Sequence, residues 1–185
     1  MRVRLGQGPY DLMEALYSAT VSPDQQYRYL LGRQWDASKP NALFVMLNPS
    51  IADGDVDDHT IRKCMQFARN WGCGGIEVVN LFALRATDPR TLVKAYGMGI
   101  NIEGEDNDVY TAAAMQRATD KGVAITCAWG STKGARPKLI HHRIEVVKAL
   151  AHNMGARLEC LGRAKGGDPR HPLMLSYSVG TESWP

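Results

Sequence analysis

The stretch Ala42-Leu-Phe-Val-Met-Leu-Asn-Pro-Ser50 constrains the fold more than any other part of the chain. Its apolar run shows no polar alternation, so both faces of the segment must be buried, as in a parallel strand covered by helices. Pro49 has no N–H to give to a ladder, so the strand must stop there. In open α/β sheets ligands bind just beyond the carboxyl ends of the strands, which puts the Asn48 amide where chemistry is done.

Three further segments repeat the design. Gly75-Ile-Glu-Val-Val-Asn80 leads into Leu-Phe-Ala-Leu-Arg85; Val123-Ala-Ile-Thr-Cys-Ala-Trp-Gly130 ends in an aromatic residue and a glycine; Arg157-Leu-Glu-Cys-Leu-Gly162 runs into Arg163-Ala-Lys-Gly-Gly-Asp-Pro-Arg-His-Pro172. Helical patterns separate them. Between Asp58 and Trp71 one face carries Ile61, Cys64, Met65 and Ala68. Between Glu105 and Thr119 the face is Val109, Ala112, Ala113 and Gln116, and between Pro137 and Asn153 it is Leu139, Ile140, Ile144, Val147 and Leu150. This alternation predicts an α/β fold, a three-layer α/β/α sandwich with a central four-stranded, mainly parallel sheet. One crevice would then collect Asn48, Asn80, Trp129 and the loop that carries His171.

At 185 residues the chain suits a single domain spanning 1–185, with residues 1–40 as an irregular N-terminal segment packed on the sheet edge. Within that segment, Tyr27 to Trp35 alternates loosely enough for an edge strand. The N-terminus Met1-Arg-Val-Arg-Leu5 has no secretory core and no apolar stretch approaches the ~20 residues of a membrane span, so a cytoplasmic chain with no membrane partner is expected. Cys64, Cys73, Cys127 and Cys160 are far apart and form no Cys-x-x-Cys pair, which fits small buried hydrophobes in a reducing compartment better than an iron–sulfur cluster. The net charge of +3 is unevenly spread: Lys133, Arg136, Lys138, His141, His142, Arg143, Lys148, Arg163, Lys165 and Arg170 crowd the C-terminal third. That basicity marks either a rim for a polyanion or the solvated face of a helix.

Asp53-Gly-Asp-Val-Asp-Asp-His-Thr-Ile-Arg62 invites a metal, but it lacks the spacing and closing Glu of a calcium loop. Asp57 or Asp58 as the cap of the helix that begins near His59 is the simpler account. Arg62, one turn in, would reach back to an Asp or point to a phosphate. Gly130-Ser-Thr-Lys-Gly134 lacks the Walker spacing, although Lys133 could still meet a phosphate at a helix start. There is no nucleophile elbow and no zinc-spaced His/Cys set, so neither a cofactor nor a metal is expected.

These strings carry a resemblance. Met46-Leu-Asn-Pro-Ser50 resembles the first motif of the uracil-DNA glycosylase superfamily in the version with an amide in place of the water-activating Asp. Val78-Val-Asn-Leu-Phe-Ala-Leu-Arg85 resembles the segment whose Asn reads the base, Cys127-Ala-Trp-Gly130 the segment ending in Trp-Gly, and His171-Pro-Leu-Met-Leu-Ser176 the second motif. Residues from about 25 to 185 also resemble a bacterial and phage domain-of-unknown-function family with the same Leu-Asn-Pro-Ser and Arg-His-Pro-Leu strings. The first motif lacks the Gln-Asp and Tyr of the uracil enzymes, and Leu173 and Met174 replace the small residues of their second motif. These bulkier residues would either wedge into a duplex or fill a pocket that never meets DNA.

The resemblance implies an enzyme that recognises a nucleobase in DNA or a nucleotide and hydrolyses its N-glycosidic bond. Asn48 would hold the water, and His171 would stabilise charge on the departing base. Asn80 would read the base edge, with Phe82 or Trp129 stacked on it. Ser50, Arg62, Arg85, Lys133, Arg170 and Ser176 would meet phosphates. The alternatives are a non-catalytic nucleobase or nucleic-acid-binding module in DNA modification or phage–host conflict, and a metal-dependent phosphohydrolase using the Asp cluster. A nucleic acid or nucleotide is the expected partner in the first two; the sequence does not indicate an oligomeric state.

Overall fold

A computed structural model describes residues 4–5, 16–50, 57–131 and 137–185 of the chain. Its strands are β1 (Arg4–Leu5), β2 (Leu16–Val21), β3 (Arg28–Gln34), β4 (Asn41–Met46), β5 (Gly75–Asn80), β6 (Ile125–Cys127), β7 (Leu158–Cys160) and β8 (Glu182–Ser183). The helices are α1 (His59–Asn70), α2 (Pro89–Gly97), α3 (Asn107–Asp120) and α4 (Pro137–Asn153), with a 3-10 turn at Pro172–Met174. The strands form one mixed sheet in the order β1-β2-β3-β5-β4-β6-β7-β8. At its centre β5, β4, β6 and β7 run parallel, and the flanking strands pair antiparallel. None of the described helices is long and apolar enough to cross a membrane.

The apolar run of β4 explains its central place. Leu43 and Val45 enter a cluster with Val79 of β5, Ile125 and Cys127 of β6, and residues of α2, α3 and α4. Ala42, Phe44 and Met46 enter a second cluster on the other face, with Ile76 and Val78 of β5 and Ile61, Cys64, Phe67 and Ala68 of α1. Adjacent residues of a strand point to opposite faces, so an unbroken apolar run is what a doubly covered strand requires. Register aligns the strand ends: Met46 lies opposite Asn80, Val45 opposite Cys127, and Cys127 opposite Cys160.

Chain order creates the crevice. From β4 the chain crosses through α1 to β5 on one side, then returns through α2 and α3 to β6 on the other side of β4. The loops leaving β4 and β6 therefore diverge at the carboxyl edge, which is where open sheets leave room for a ligand.

Two expectations need correction. The described part of residues 1–40 is not irregular: β2 and β3 form an antiparallel hairpin, closed at Ser22–Tyr27 with Gln25 in the left-handed region, and β3 continues the sheet beside β5. The turn Pro23-Asp-Gln-Gln26 carries none of the Gly or Asn signals that mark a hairpin, which is why it escapes a pattern search.

The second correction is the buried face of α3. The helix buries Asn107, Thr111, Ala114, Met115 and Ala118, while Val109 stands 67% exposed. Two polar residues share the buried face, Asn107 and Thr111; Asn107 donates its amide to the carbonyls of Asn80 and Leu81 from there, so apolar spacing alone points to the wrong side. Met115→Ala should cost about 2–5 kcal/mol in denaturant unfolding. Val109→Ala should change stability by less than about 0.5 kcal/mol; equal losses in the two variants would put the wrong face inside.

Candidate functional site

At the carboxyl edge of the parallel strands lies a cavity of about 210 Å³. Its walls include Asn48 and Ser50 after β4, Asn80 at the end of β5, Trp129 after β6, His171 after β7, Asp58 and Thr60 at the start of α1, and Arg28 at the start of β3. Of the expected site residues, Asn48, Ser50, Asn80, Trp129 and His171 are brought together here.

Asn48 is held by its own amide. Its Nδ2 donates to the carbonyls of Ala86 at 2.7 Å and Pro49 at 3.1 Å, tying the loop after β4 to the loop after β5. With both N–H groups engaged, the Oδ1 acceptor is the part of the side chain left for a ligand or water. Asn80 is 2% exposed, and its side chain makes no hydrogen bond to the described residues, so donor and acceptor both remain available at the cavity wall.

His171 is delivered by the loop after β7. Arg163 and Pro169 bridge across that loop, and the Arg170 N–H returns to the Gly162 carbonyl at 2.9 Å. The histidine packs against Gly130, where a Cβ would come within 3.2 Å of the His171 Cβ and where φ is +84°. Trp129-Gly130 therefore needs its glycine both for the backbone and for the close approach. His171 Nδ1 accepts from the Leu173 N–H at 3.3 Å, which leaves the proton of the neutral ring on Nε2 as a donor. Burial pushes the His171 pKa below its ordinary value, against an opposing pull from Asp58.

Asp58 is the N-cap of α1: its Oδ1 accepts from the Ile61 N–H at 2.8 Å, and its Oδ2 takes the Ser50 hydroxyl at 3.1 Å. Asp57 pairs with buried Arg33 at 2.8 Å. Among the described residues no group of three or more His, Cys, Asp or Glu is placed to hold a metal. Asp53 and Asp55 lie outside the described residues. The thiols of Cys64 and Cys127 are buried, which pushes their pKa values up and makes them poor nucleophiles.

Other expected site residues lie elsewhere. Phe82 is 1% exposed in the core on the α3 and α4 side, so it gives no stacking face to the cavity; Phe82 N–H follows the β4 loop, donating to the Leu47 carbonyl. Trp129 touches the cavity, but it is 3% exposed, with its ring edge-on to Trp184 at 4.8 Å, so it forms a wall rather than a platform. Arg62 is exposed and reaches back to the Asp57 carbonyl at 2.9 Å. Arg85 Nη1 donates to the Gln25 carbonyl at 3.0 Å. Arg170 is exposed, and Ser176 shares a hydrogen bond with Ser178 at 2.8 Å. Phe82, Arg62, Arg85, Arg170 and Ser176 do not line the cavity, and Lys133 lies outside the described residues.

Sequence reading missed Arg28 altogether. It is only 7% exposed, yet it lines the cavity. Its backbone N–H donates to the Ala83 carbonyl, which fixes the start of β3 at the exit of β5. The signal was a lone arginine at the head of a strand. Only the antiparallel direction of β3 puts that head at the carboxyl edge of the parallel strands.

The depressed His171 pKa has a consequence for stability. A histidine that resists protonation when folded binds its proton more readily unfolded, so stability is full above the ordinary pKa of about 6.5 and falls as pH drops toward the folded value. Thermal melting from pH 7.5 to 5 should show this decline, and His171→Gln should flatten it; an identical slope in the variant would remove His171 from the cause. Gly130→Ala should lower the melting temperature by straining the left-handed backbone and pressing on His171.

No curated protein and no solved structure matches the chain significantly. A family model described as "Protein of unknown function (DUF1643)" matches residues 28–173. That span runs from the buried Arg28 past His171 and takes in every described wall of the cavity named above. The chain belongs to the DUF1643 family.

Proposed function

We propose that this chain is a uracil-DNA glycosylase-like protein, built as a three-layer α/β/α sandwich, that recognises a nucleobase in DNA or a nucleotide and hydrolyses its N-glycosidic bond. The observation that carries this reading is that Asn48, Asn80 and His171 leave three different parallel strands and line one cavity. The order β5-β4-β6-β7, with one motif following the first of these strands in the chain and the other following the last, also supports it.

The proposed chemistry assigns each group a task. The bond from sugar carbon to base nitrogen breaks with its electron pair leaving on the base, so positive charge grows on the sugar and negative charge on the base. Asn48 Oδ1 accepts a hydrogen bond from the attacking water, whose oxygen adds to the sugar carbon and whose proton passes to solvent. His171, neutral and protonated on Nε2, donates to an oxygen of the departing base. Asn80 pairs one donor and one acceptor with the base edge. An amide is a weak base, so the site suits a base that leaves readily.

That weakness favours one other reading. Both Asn48 N–H groups bind backbone, and the side chain clamps two loops whether or not a water is activated. A reader that holds a nucleobase without turnover would need the same clamp.

Base release from oligonucleotides and free nucleotides carrying uracil, mismatched thymine, hypoxanthine or hypermodified bases decides between the two. A free base should appear for one substrate, and His171→Ala should lower that rate by about 10²–10³-fold. Asn48→Ala should abolish release while the protein still melts cooperatively. Full activity in Asn48→Ala would reject its role, and binding without release across the panel would favour the reader.

A further inference from the structure

The Arg28 guanidinium is a buried cation without a described counter-ion. Its Nε is buried and has no hydrogen-bond partner, and the side chain makes no ion pair or hydrogen bond among the described residues. Burial first, and then the neighbouring Arg85, bring its pKa down to about 10, so it stays charged at neutral pH. The other arginines of low exposure are provided for. Arg33 pairs with Asp57 and donates to the Gly32 carbonyl. Arg143 meets Asp108, Glu103 and the Leu81 carbonyl. Asp58 shares the cavity with Arg28, but its two oxygens serve the α1 cap and Ser50, and no salt bridge joins it to Arg28.

Burying a charge without a partner is costly, and the group that relieves the cost is one that brings negative charge into the cavity. We infer that the cavity binds a small oxyanion through Arg28: a phosphate group, or an acidic base carrying its own ionised oxygen. The guanidinium fork matches two oxygens of one oxyanion, and the unbonded Asn80 amide offers a further donor at the same wall. Size agrees. Pockets for drug-sized ligands run to about 300–1,000 Å³, and the 210 Å³ here has room for a single ring or a phosphate group. This inference rests on the same cavity as the proposed function but not on its hydrolysis.

The test uses the full chain and two Arg28 variants. Without ligand, Arg28→Met should melt at or above the wild-type temperature, because it removes an unpaired buried charge. A clear drop, or loss of folding, would mean that the guanidinium already has a structural partner and would overturn the inference. Calorimetric titration then uses inorganic phosphate, orotate (uracil bearing a carboxylate) and uracil itself. Phosphate or orotate should bind wild type, lose at least tenfold in Arg28→Met and lose less than that in Arg28→Lys, which keeps the charge but not the fork, while uracil is indifferent to the substitution. Binding of phosphate without orotate names a phosphate as the source, and tighter binding of orotate names an acidic base. No oxyanion binding to wild type, or equal binding to wild type and Arg28→Met, overturns the proposal. Arg28-dependent binding with no base released from any substrate would reject the hydrolysis and keep the oxyanion site. Base release undiminished in Arg28→Met, with no oxyanion binding, would do the reverse.

Discussion

The parallel pairing of β4 with β5 does not stop where the two strands stop, and the site hangs from its continuation. Leu81 N–H reaches the Met46 carbonyl at 2.8 Å, Phe82 N–H the Leu47 carbonyl at 3.0 Å and Ala86 N–H the Pro49 carbonyl at 2.9 Å. Buried backbone groups must be paired, and Pro49 has no N–H to contribute. The Asn48 side chain supplies donors at that gap, bonding Ala86 and Pro49 carbonyls. On the other side of β4, Ala128 N–H binds the Val45 carbonyl at 2.8 Å, so β6 is fixed to the same strand. One strand therefore carries the positions of Asn48, Asn80 and Trp129. The same hydrogen bonds that orient Asn48 as an acceptor also make it part of the frame.

Charge is distributed around this frame with a consistent economy. Arg33, under the ring of Tyr17 at 4.3 Å and paired with Asp57, anchors the start of the α1 region to the β2–β3 hairpin. Arg143 ties α4 to the β5 exit and to α3 through the Leu81 carbonyl and Asp108. Each spends its charge on connecting elements that apolar packing alone would let slide. Arg28 differs because the described structure gives it nothing to connect. Among the described residues two buried guanidinium groups are paired and a third lines the cavity without a partner, an arrangement that works against stability unless negative charge enters there.

Legibility varied with the physics that placed each residue. The faces of α1 and α4 were readable because apolar side chains do the packing: Ile61, Cys64 and Ala68 are buried in one helix, and Ile140, Ile144 and Val147 in the other. The face of α3 was not, because Asn107 and Thr111 are buried polar residues, and apolar spacing cannot see the hydrogen bonds that Asn107 makes across the fold. Asn48, Asn80 and His171 could be placed together in advance because each ends a strand or follows one. Phe82 could not, since the chain beyond Asn80 stays zipped to the β4 loop and turns that ring into the core. The Asp58 cap was legible from an Asp at the head of an amphipathic run; its second contact, with Ser50, depends on where two loops meet.

By itself the sequence determined that β4 is buried on both faces, that it cannot run past Pro49, and that polar or aromatic residues stand at the ends of the strands that accompany it. These follow from local rules: period, apolar content and the missing proline N–H. Tertiary structure alone decided the strand order, the antiparallel direction of β3 and the approach of His171 to Gly130. Those choices depend on which hydrogen-bonding edges pair across long stretches of chain, and no local pattern encodes that pairing. Arg28 shows the difference most plainly: its type is written in the sequence, but its burial beside the cavity exists only once β3 has paired with β5.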